Sequence, residues 1–218
     1  MKSKKLSSIR FISFIFITCL ISSIPFLIPA SASNGITDRS VIKDPQRDTF
    51  VSLELELERL NNLITLDKNK ADYYYNRGWI YEEMNNTARA EEDYSAAIRI
   101  DKGHADALYN RGLIYLKNKR YDLAVMDFSE VIKLRPDSAD AFCNRGNAHI
   151  AEGRYEDALK DFTSAIKLSP QDADLYYNRA LIHLKQKKRT KALEDMRKAA
   201  NLGSTQAREY LDASGNSL

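Results

Sequence analysis

The tripeptide Asn-Arg-Gly occurs three times at an interval of 34 residues, at residues 76–78, 110–112 and 144–146. One interval later the chain reads Asn-Arg-Ala, at residues 178–180, with the next smallest residue in place of glycine. A repeat of this length is typical of architectures in which each copy is one supersecondary unit that packs against its neighbours. The period therefore predicts a stack of small, similar units over most of the chain.

Residues 71–206 divide into four units of 34, and each unit begins with Ala-Asp. The aspartate lies in the first turn of a predicted helix, where the helix dipole favours negative charge. Turn-forming residues separate two apolar stretches in each unit, so each unit is predicted to be helix, turn, helix. Two positions of the unit hold only small residues: position 8 has Gly78, Gly112, Gly146 and Ala180, and position 20 has Ala90, Ala124, Ala158 and Ala192. We expect this small pair to let the two helices approach closely.

A pair of opposite charges also recurs in every unit, and its two members are sixteen positions apart in the sequence. The separation places them either on facing helices of one unit or on neighbouring units. We predict a partly buried, structural ladder of ion pairs, since buried pairs specify geometry more than they add stability. The arginines are Arg77, Arg111, Arg145 and Arg179, and the aspartates are Asp93, Asp127, Asp161 and Asp195.

Taken together, these positions resemble the tetratricopeptide repeat family. The period, both small positions, a large apolar residue at position 24 and a closing proline at Pro136 and Pro170 all agree with that family. The resemblance covers four repeats, at residues 71–104, 105–138, 139–172 and 173–206. It implies an all-α fold, an α-α superhelix of antiparallel helix pairs whose first helices line a concave face.

The segments on either side of the repeats are predicted to cap them. Residues 50–70 carry Leu57, Leu60 and Leu63 at helical spacing and have the pattern of the second helix of a repeat whose first helix is missing. Residues 204–218 are predicted to hold a short capping helix and a tail. Residues 33–49 are polar and turn-forming, which predicts a flexible linker.

Residues 1–32 have the three parts of a secretory signal peptide. A lysine-rich start precedes an apolar run at residues 11–28 and then Ala-Ser-Ala at residues 30–32. We expect cleavage after Ala32 and a secreted or periplasmic protein. The alternative is a membrane anchor, because this run of 18 residues approaches the roughly 20 that cross a bilayer. Without the leader the chain is close to neutral, so it has no basic face to bind nucleic acid.

The chain shows no pattern that predicts catalysis, a cofactor or a metal site. It has no glycine-rich phosphate loop, no HExxH and no CxxC. His149 and His183 could be taken as a metal pair, but they occupy equivalent positions where the family packs an aromatic ring, so we expect a structural role. Cys143 is the only cysteine after the leader, so no intramolecular disulfide can form. The protein is predicted not to be an enzyme.

The resemblance also implies a ligand surface, because family ligands are contacted mainly from positions 2, 5, 6, 9, 12 and 13 of each repeat. We expect asparagine amides to bind the backbone of an extended peptide, and aromatic rings to add flat apolar area. In the alternative, some of the asparagines only bridge adjacent helices. The predicted groove residues are Asn76, Asn110, Asn144 and Asn178 at position 6, Tyr75, Tyr109 and Tyr177 at position 5, and Trp79 at position 9.

The charge of this surface limits the class of ligand. Family members that grip a terminal carboxylate use lysine and arginine, whereas position 2 here holds Asp72, Asp106, Asp140 and Asp174. We therefore do not expect a terminal carboxylate as ligand. The predicted function is a protein–protein interaction scaffold that binds a partner protein or extended peptide in the groove, outside the cytoplasm. The alternative is a membrane-tethered structural subunit of a larger envelope assembly.

Overall fold

The structure, a computed structural model, describes residues 45–216, with side chains from residue 52 onward. This part of the chain contains ten helices and no strand, so the predicted all-α fold is confirmed. The predicted signal peptide or anchor, and residues 33–44 of the predicted linker, lie outside the described residues. The helices are α1 Pro45–Leu66, α2 Ala71–Glu83, α3 Thr87–Ile100, α4 Ala105–Lys117, α5 Tyr121–Leu134, α6 Ala139–Ala151, α7 Tyr155–Leu168, α8 Ala173–Lys185, α9 Arg189–Asn201 and α10 Thr205–Ala213.

Helices α2 to α9 form four pairs, each joined by a three-residue turn. A connection this short makes the two helices of a pair antiparallel neighbours. The second helix of each pair then packs on the first helix of the next, while α1 packs on α2 and α10 packs on α9. The structure is thus a row of units in contact with their neighbours, which is the arrangement of a solenoid. None of the ten described helices has the length and apolar character needed to span a bilayer.

The close approach of paired helices depends on the residue at position 24 as well as on the small positions. A Cβ atom added to Gly112 would lie 2.9 Å from Cε1 of Phe128, and Gly78 and Gly146 meet Tyr94 and Phe162 at the same distance. The alanines at position 20 are completely buried. In the fourth pair, Ala180 packs in one cluster with the more flexible Met196. The first three units therefore match a glycine to a ring, and the fourth matches an alanine to a thioether.

This packing predicts that Gly112→Ala lowers the free energy of unfolding by about 1 to 3 kcal/mol, because the new methyl group overlaps the ring of Phe128. The double variant Gly112→Ala/Phe128→Met should recover most of the loss, since it reproduces the pairing of the fourth unit. Urea unfolding of both variants, with Phe128→Met alone as control, measures the effect. A double variant as unstable as the sum of the two singles would contradict the match between the two positions.

Each position 7 arginine joins two units. In the second unit, Nε and Nη2 of Arg111 donate to the two carboxylate oxygens of Asp127 at 2.8 and 2.7 Å, and Nη1 donates to Ser95 in the preceding unit at 3.0 Å. Asp127 is buried, and the arginine side chain is 18% exposed. The first contact lies within the unit and the second between units. The other three arginines repeat this pattern, with second acceptors Asn61, Ser129 and Thr163.

Helix α1 differs from the expectation at its start. It begins at Pro45, so residues 45–49 are helical where the sequence predicted a linker. Proline is favoured in the first turn of a helix, because its missing N–H needs no partner there. Farther along α1, Leu60 is buried and Asn61 accepts the hydrogen bond from Arg77 that serine or threonine accepts in the later units. The helix therefore packs in the manner of the second helix of a unit.

Candidate peptide-binding face

The first helices α2, α4, α6 and α8 bring the predicted groove residues to one side of the row, here called the first-helix face. Contacts across neighbouring helices show this juxtaposition. The amide of Asn144 donates to the hydroxyl of Tyr109 at 2.9 Å, and the amide of Asn110 donates to the hydroxyl of Tyr94 at 3.2 Å. The ring of Tyr75 lies 5.8 Å from that of Tyr94 between centroids. Tyr109 of α4 and Asn144 of α6 thus lie side by side on this face, while Tyr75 and Asn110 both contact the buried Tyr94 of α3 beneath it.

The four asparagines of this face are not equivalent. Asn110 and Asn144 bridge adjacent helices, which is the alternative role that the sequence left open. The side chains of Asn76 and Asn178 form no hydrogen bond with another residue in the range 52–216. Asn76 is exposed and Asn178 is half-buried. The outer two amides therefore have donors and acceptors available to a ligand.

The difference at Asn178 has a local cause. The residue that precedes Asn144 by 35 is Tyr109, which supplies a hydroxyl, whereas the residue that precedes Asn178 by 35 is Cys143. The thiol of Cys143 receives only a long contact from Nδ2 of Asn147, at 3.9 Å. Burial and the carboxylates of Asp172 and Asp140 raise the pKa of Cys143 to about 12. The thiol is therefore protonated at neutral pH and is a poor nucleophile.

A buried polar chain supports the junction between α2 and α4. The hydroxyl of Tyr94 donates to Oε2 of Glu82 at 2.8 Å and accepts from Asn110. Burial and the charge of Glu82 raise the pKa of Tyr94 well above its usual range. Among the four units only the first has tyrosine at position 24. This series of hydrogen bonds therefore has no counterpart at the other junctions. Position 24 of the repeat predicted Tyr94 only as a large apolar residue, and no pattern indicated Glu82, although a lone hydroxyl among apolar equivalents is a visible signal.

The aromatic groove residues differ in exposure. Tyr109 packs edge-on against Phe128, and burial together with Asp140 raises its pKa to about 12. Tyr75, Tyr109 and Tyr177 are half-buried, whereas Trp79 remains 40% exposed. Leu181, which has the same position in the fourth unit, is 38% exposed. Leu181 was not predicted as a groove residue, although its place at position 9 of the repeat could have indicated it.

Among the described residues, three of the four aspartates at position 2 have no lysine or arginine within ion-pair distance. Asp106 accepts two hydrogen bonds from Arg135, at 2.6 and 2.9 Å, and these bonds lower its pKa. Asp72 is 82% exposed and lies 3.4 Å from Nε2 of His104. Asp140 and Asp174 are exposed and have no lysine or arginine within ion-pair distance in the part of the chain that the structure describes.

The histidines at position 11 lie beside the ion pairs of their own units. Nε2 of His149 is 3.7 Å from Asp161, and Nε2 of His183 is 3.9 Å from Asp195. Across the described residues, no three histidine, cysteine, aspartate or glutamate side chains come together as potential metal ligands. Each histidine has the repeat position that Tyr81 and Tyr115 have in the first two units.

Acidification is predicted to destabilise the last unit through His183. Burial lowers the pKa of His183, opposed by Asp195 and assisted by Arg179, so the neutral ring is favoured in the folded state. An unfolded histidine titrates near about 6.5, so this contribution is present above that pH and is lost as the pH falls below it. The variant His183→Tyr should therefore lose less stability between pH 7.5 and 5.5, measured as the change in Tm. Equal losses in variant and parent would rule out this role.

The fold and the face define a helical repeat solenoid. Family models for the tetratricopeptide repeat match residues 71–104 and 105–138, a TPR repeat model matches residues 146–187, and a further tetratricopeptide repeat model matches residues 173–202. Together these matches cover more than half of the 218 residues. The chain therefore belongs to the tetratricopeptide repeat family, whose fold is consistent with protein–protein interaction.

Solved structures share this fold at low sequence identity. YrrB, described as a TPR protein with an unusual peptide-binding site, has 23% identity and a TM-score of 0.69, over 78% of this chain and 88% of its own. MamA from Desulfovibrio magneticus RS-1, residues 41 to the end, has 23% identity and a TM-score of 0.66, over 72% and 89%. A further MamA structure has 19% identity and a TM-score of 0.68, over 76% and 96%. No curated protein matches the sequence. The predicted solenoid is confirmed.

Proposed function

We propose that the protein is a non-enzymatic scaffold that binds a partner protein, through an extended peptide segment, on the first-helix face. One observation carries this proposal: among residues 52–216 the amides of Asn76 and Asn178 have no hydrogen-bond partner, and each lies about one helical turn from an exposed apolar side chain, Trp79 or Leu181. A side-chain amide offers both a donor and an acceptor, which matches the hydrogen-bonding needs of a peptide backbone. The protein acts by holding its partner.

The face is prepared for such a ligand. Tyr94 and Tyr109 fix the inner amides, Asn110 and Asn144, in one orientation, yet each amide keeps an oxygen and one N–H for further bonds. Half-buried tyrosines are already ordered, so they lose little conformational entropy on binding. Ligand contact would therefore cost little reorganisation of the solenoid.

Trp79 provides a direct test, because it is the only tryptophan in the sequence and lies on this face. Decapeptides selected from a random library against the purified protein should change its fluorescence on titration. The variant Asn76→Ala/Asn178→Ala should weaken their binding by about fivefold or more, since a hydrogen bond contributes roughly 1 kcal/mol.

The matched control is Asn62→Ala/Asn201→Ala, which removes two exposed amides from α1 and α9. This control should bind as the parent does. Peptides that bind without changing Trp79 fluorescence, and equally well to both double variants, would place the binding site elsewhere.

We further propose that the protein acts outside the cytoplasm. The lysine-rich start, the apolar run at residues 11–28 and Ala-Ser-Ala at residues 30–32 support this setting. The alternative, a membrane-tethered structural subunit of an envelope assembly, uses the same apolar run as an anchor.

Cell fractionation with N-terminal sequencing separates these settings. We expect a soluble envelope protein that begins at Ser33, and we expect Ala30→Leu/Ala32→Leu to leave the full-length chain in the membrane, because signal peptidase requires small residues there. A parent protein that is full-length and membrane-bound would favour the tethered subunit. Recovery in the cytoplasm would contradict both settings.

A further inference from the structure

We propose that the ligand of the first-helix face is a basic peptide segment, whose lysine or arginine side chains pair with Asp72, Asp140 and Asp174. This inference rests on the proposed function, because it requires a peptide on that face. It specifies the charge of the peptide, whereas the fold alone indicates only that a peptide could bind.

The open carboxylates follow from one position of the repeat. Arg135 is position 31 of the second unit, and it neutralises Asp106 of the same unit. The equivalent residues in the other units are Asp101, Ser169 and Gly203, and none of them carries a positive charge. The aspartates of those three units therefore face solvent with no arginine or lysine within 4 Å among the described residues.

The helix dipoles oppose the negative charge of these aspartates only in part, and Asp72 also lies 3.4 Å from the imidazole of His104. A helix N-terminus contributes roughly half a positive charge, which offsets only part of a full carboxylate charge. The lysines at the family's contact positions, Lys117 and Lys185, lie at the opposite ends of α4 and α8. Eleven residues of helix separate each from its aspartate, about 16 Å, which exceeds the Debye length of roughly 8 Å at physiological salt.

The junction between α6 and α8 is the most favourable place for a cationic side chain. The charges of Asp172, Asp140 and Asp174 all raise the pKa of Cys143, so three carboxylates lie near enough to this thiol to act on it. Cys143 is smaller than the tyrosine at this position in the preceding unit, and the amide of Asn178 on the next first helix has no hydrogen-bond partner among residues 52–216. A lysine or arginine here gains charge complementarity while the amide binds the adjacent backbone.

The test compares three decapeptides that differ only in charge: Ac-(Ala-Lys)5-NH2, Ac-(Ala-Gln)5-NH2 and Ac-(Ala-Glu)5-NH2. Capped ends remove terminal charges. Titration of the protein as isolated from its cells, followed by Trp79 fluorescence and calorimetry, should show about tenfold tighter binding of the lysine peptide than of the glutamine peptide at 50 mM NaCl. The preference should shrink at 300 mM NaCl, because salt screens exposed charges. Equal affinities, or a preference for the glutamate peptide, would overturn the inference.

Variants locate the effect. Asp140→Asn/Asp174→Asn should weaken binding of the lysine peptide by about fivefold or more and leave the glutamine peptide unchanged. Ser169→Arg, which copies the pairing of Arg135, should weaken it about twofold, and Arg135→Ala, which frees Asp106, should tighten it by a similar factor. The control Glu92→Gln/Glu194→Gln removes two exposed charges from second helices and should have no effect. If the control bound the lysine peptide as weakly as Asp140→Asn/Asp174→Asn does, the attraction would depend on net charge alone. That result would overturn the inference.

The two proposals fail separately. Library peptides that depend on Asn76 and Asn178 but show no basic preference would sink the inference and leave peptide binding on the face intact. A lysine preference that survives Asp140→Asn/Asp174→Asn would also overturn the inference. Absence of any peptide that depends on the face would remove both.

Discussion

The structure depends on arginine side chains whose guanidinium groups each donate hydrogen bonds to two other helices. Each position 7 arginine donates two N–H groups to the aspartate of its own unit. It donates a third to a hydroxyl or amide oxygen of the preceding unit. An aspartate buried as deeply as Asp127 is tolerable only when paired, because an isolated carboxylate pays a large desolvation cost. The same contact therefore fixes the angle within a pair and the register between pairs, and the position of the first-helix face follows from both.

Much of this fold could be predicted from the sequence, because its determinants recur. A 34-residue period, small residues at positions 8 and 20, and charges sixteen residues apart are visible as repetition, and all of them concern the inside of the solenoid. What repetition could not show was the hydrogen-bond state of each asparagine. That state depends on whether the residue 35 positions earlier, or the ring at position 24 of the preceding unit, brings a hydroxyl within reach. Cys143 and Tyr94 are departures from the repeat. They determine which asparagines of the first-helix face are hydrogen-bonded.

The start of α1 illustrates a different limit. Asp44-Pro45 suits a turn and the first turn of a helix equally well, so local sequence could not choose between them. The residues that do determine the role of α1 lie farther along: Leu60 enters the core and Asn61 accepts from Arg77 of the next unit. The hydrogen bond between Asn61 and Arg77, which are sixteen positions apart, helps to position this helix. Local turn propensity does not predict such a contact.

The change from tyrosine to histidine along position 11 makes the solenoid chemically uneven. Burial raises the pKa of Tyr115, so this ring stays neutral, whereas His183 gains a proton disfavoured by its burial when the pH falls. Units that contact only their neighbours can open one at a time, from the end inward. We therefore expect acid to loosen α8 and α9 before the pairs that carry tyrosine, together with α10, which packs on α9. Unfolding would then begin at the carboxyl-terminal end of the row, while the surface around Trp79 is still folded.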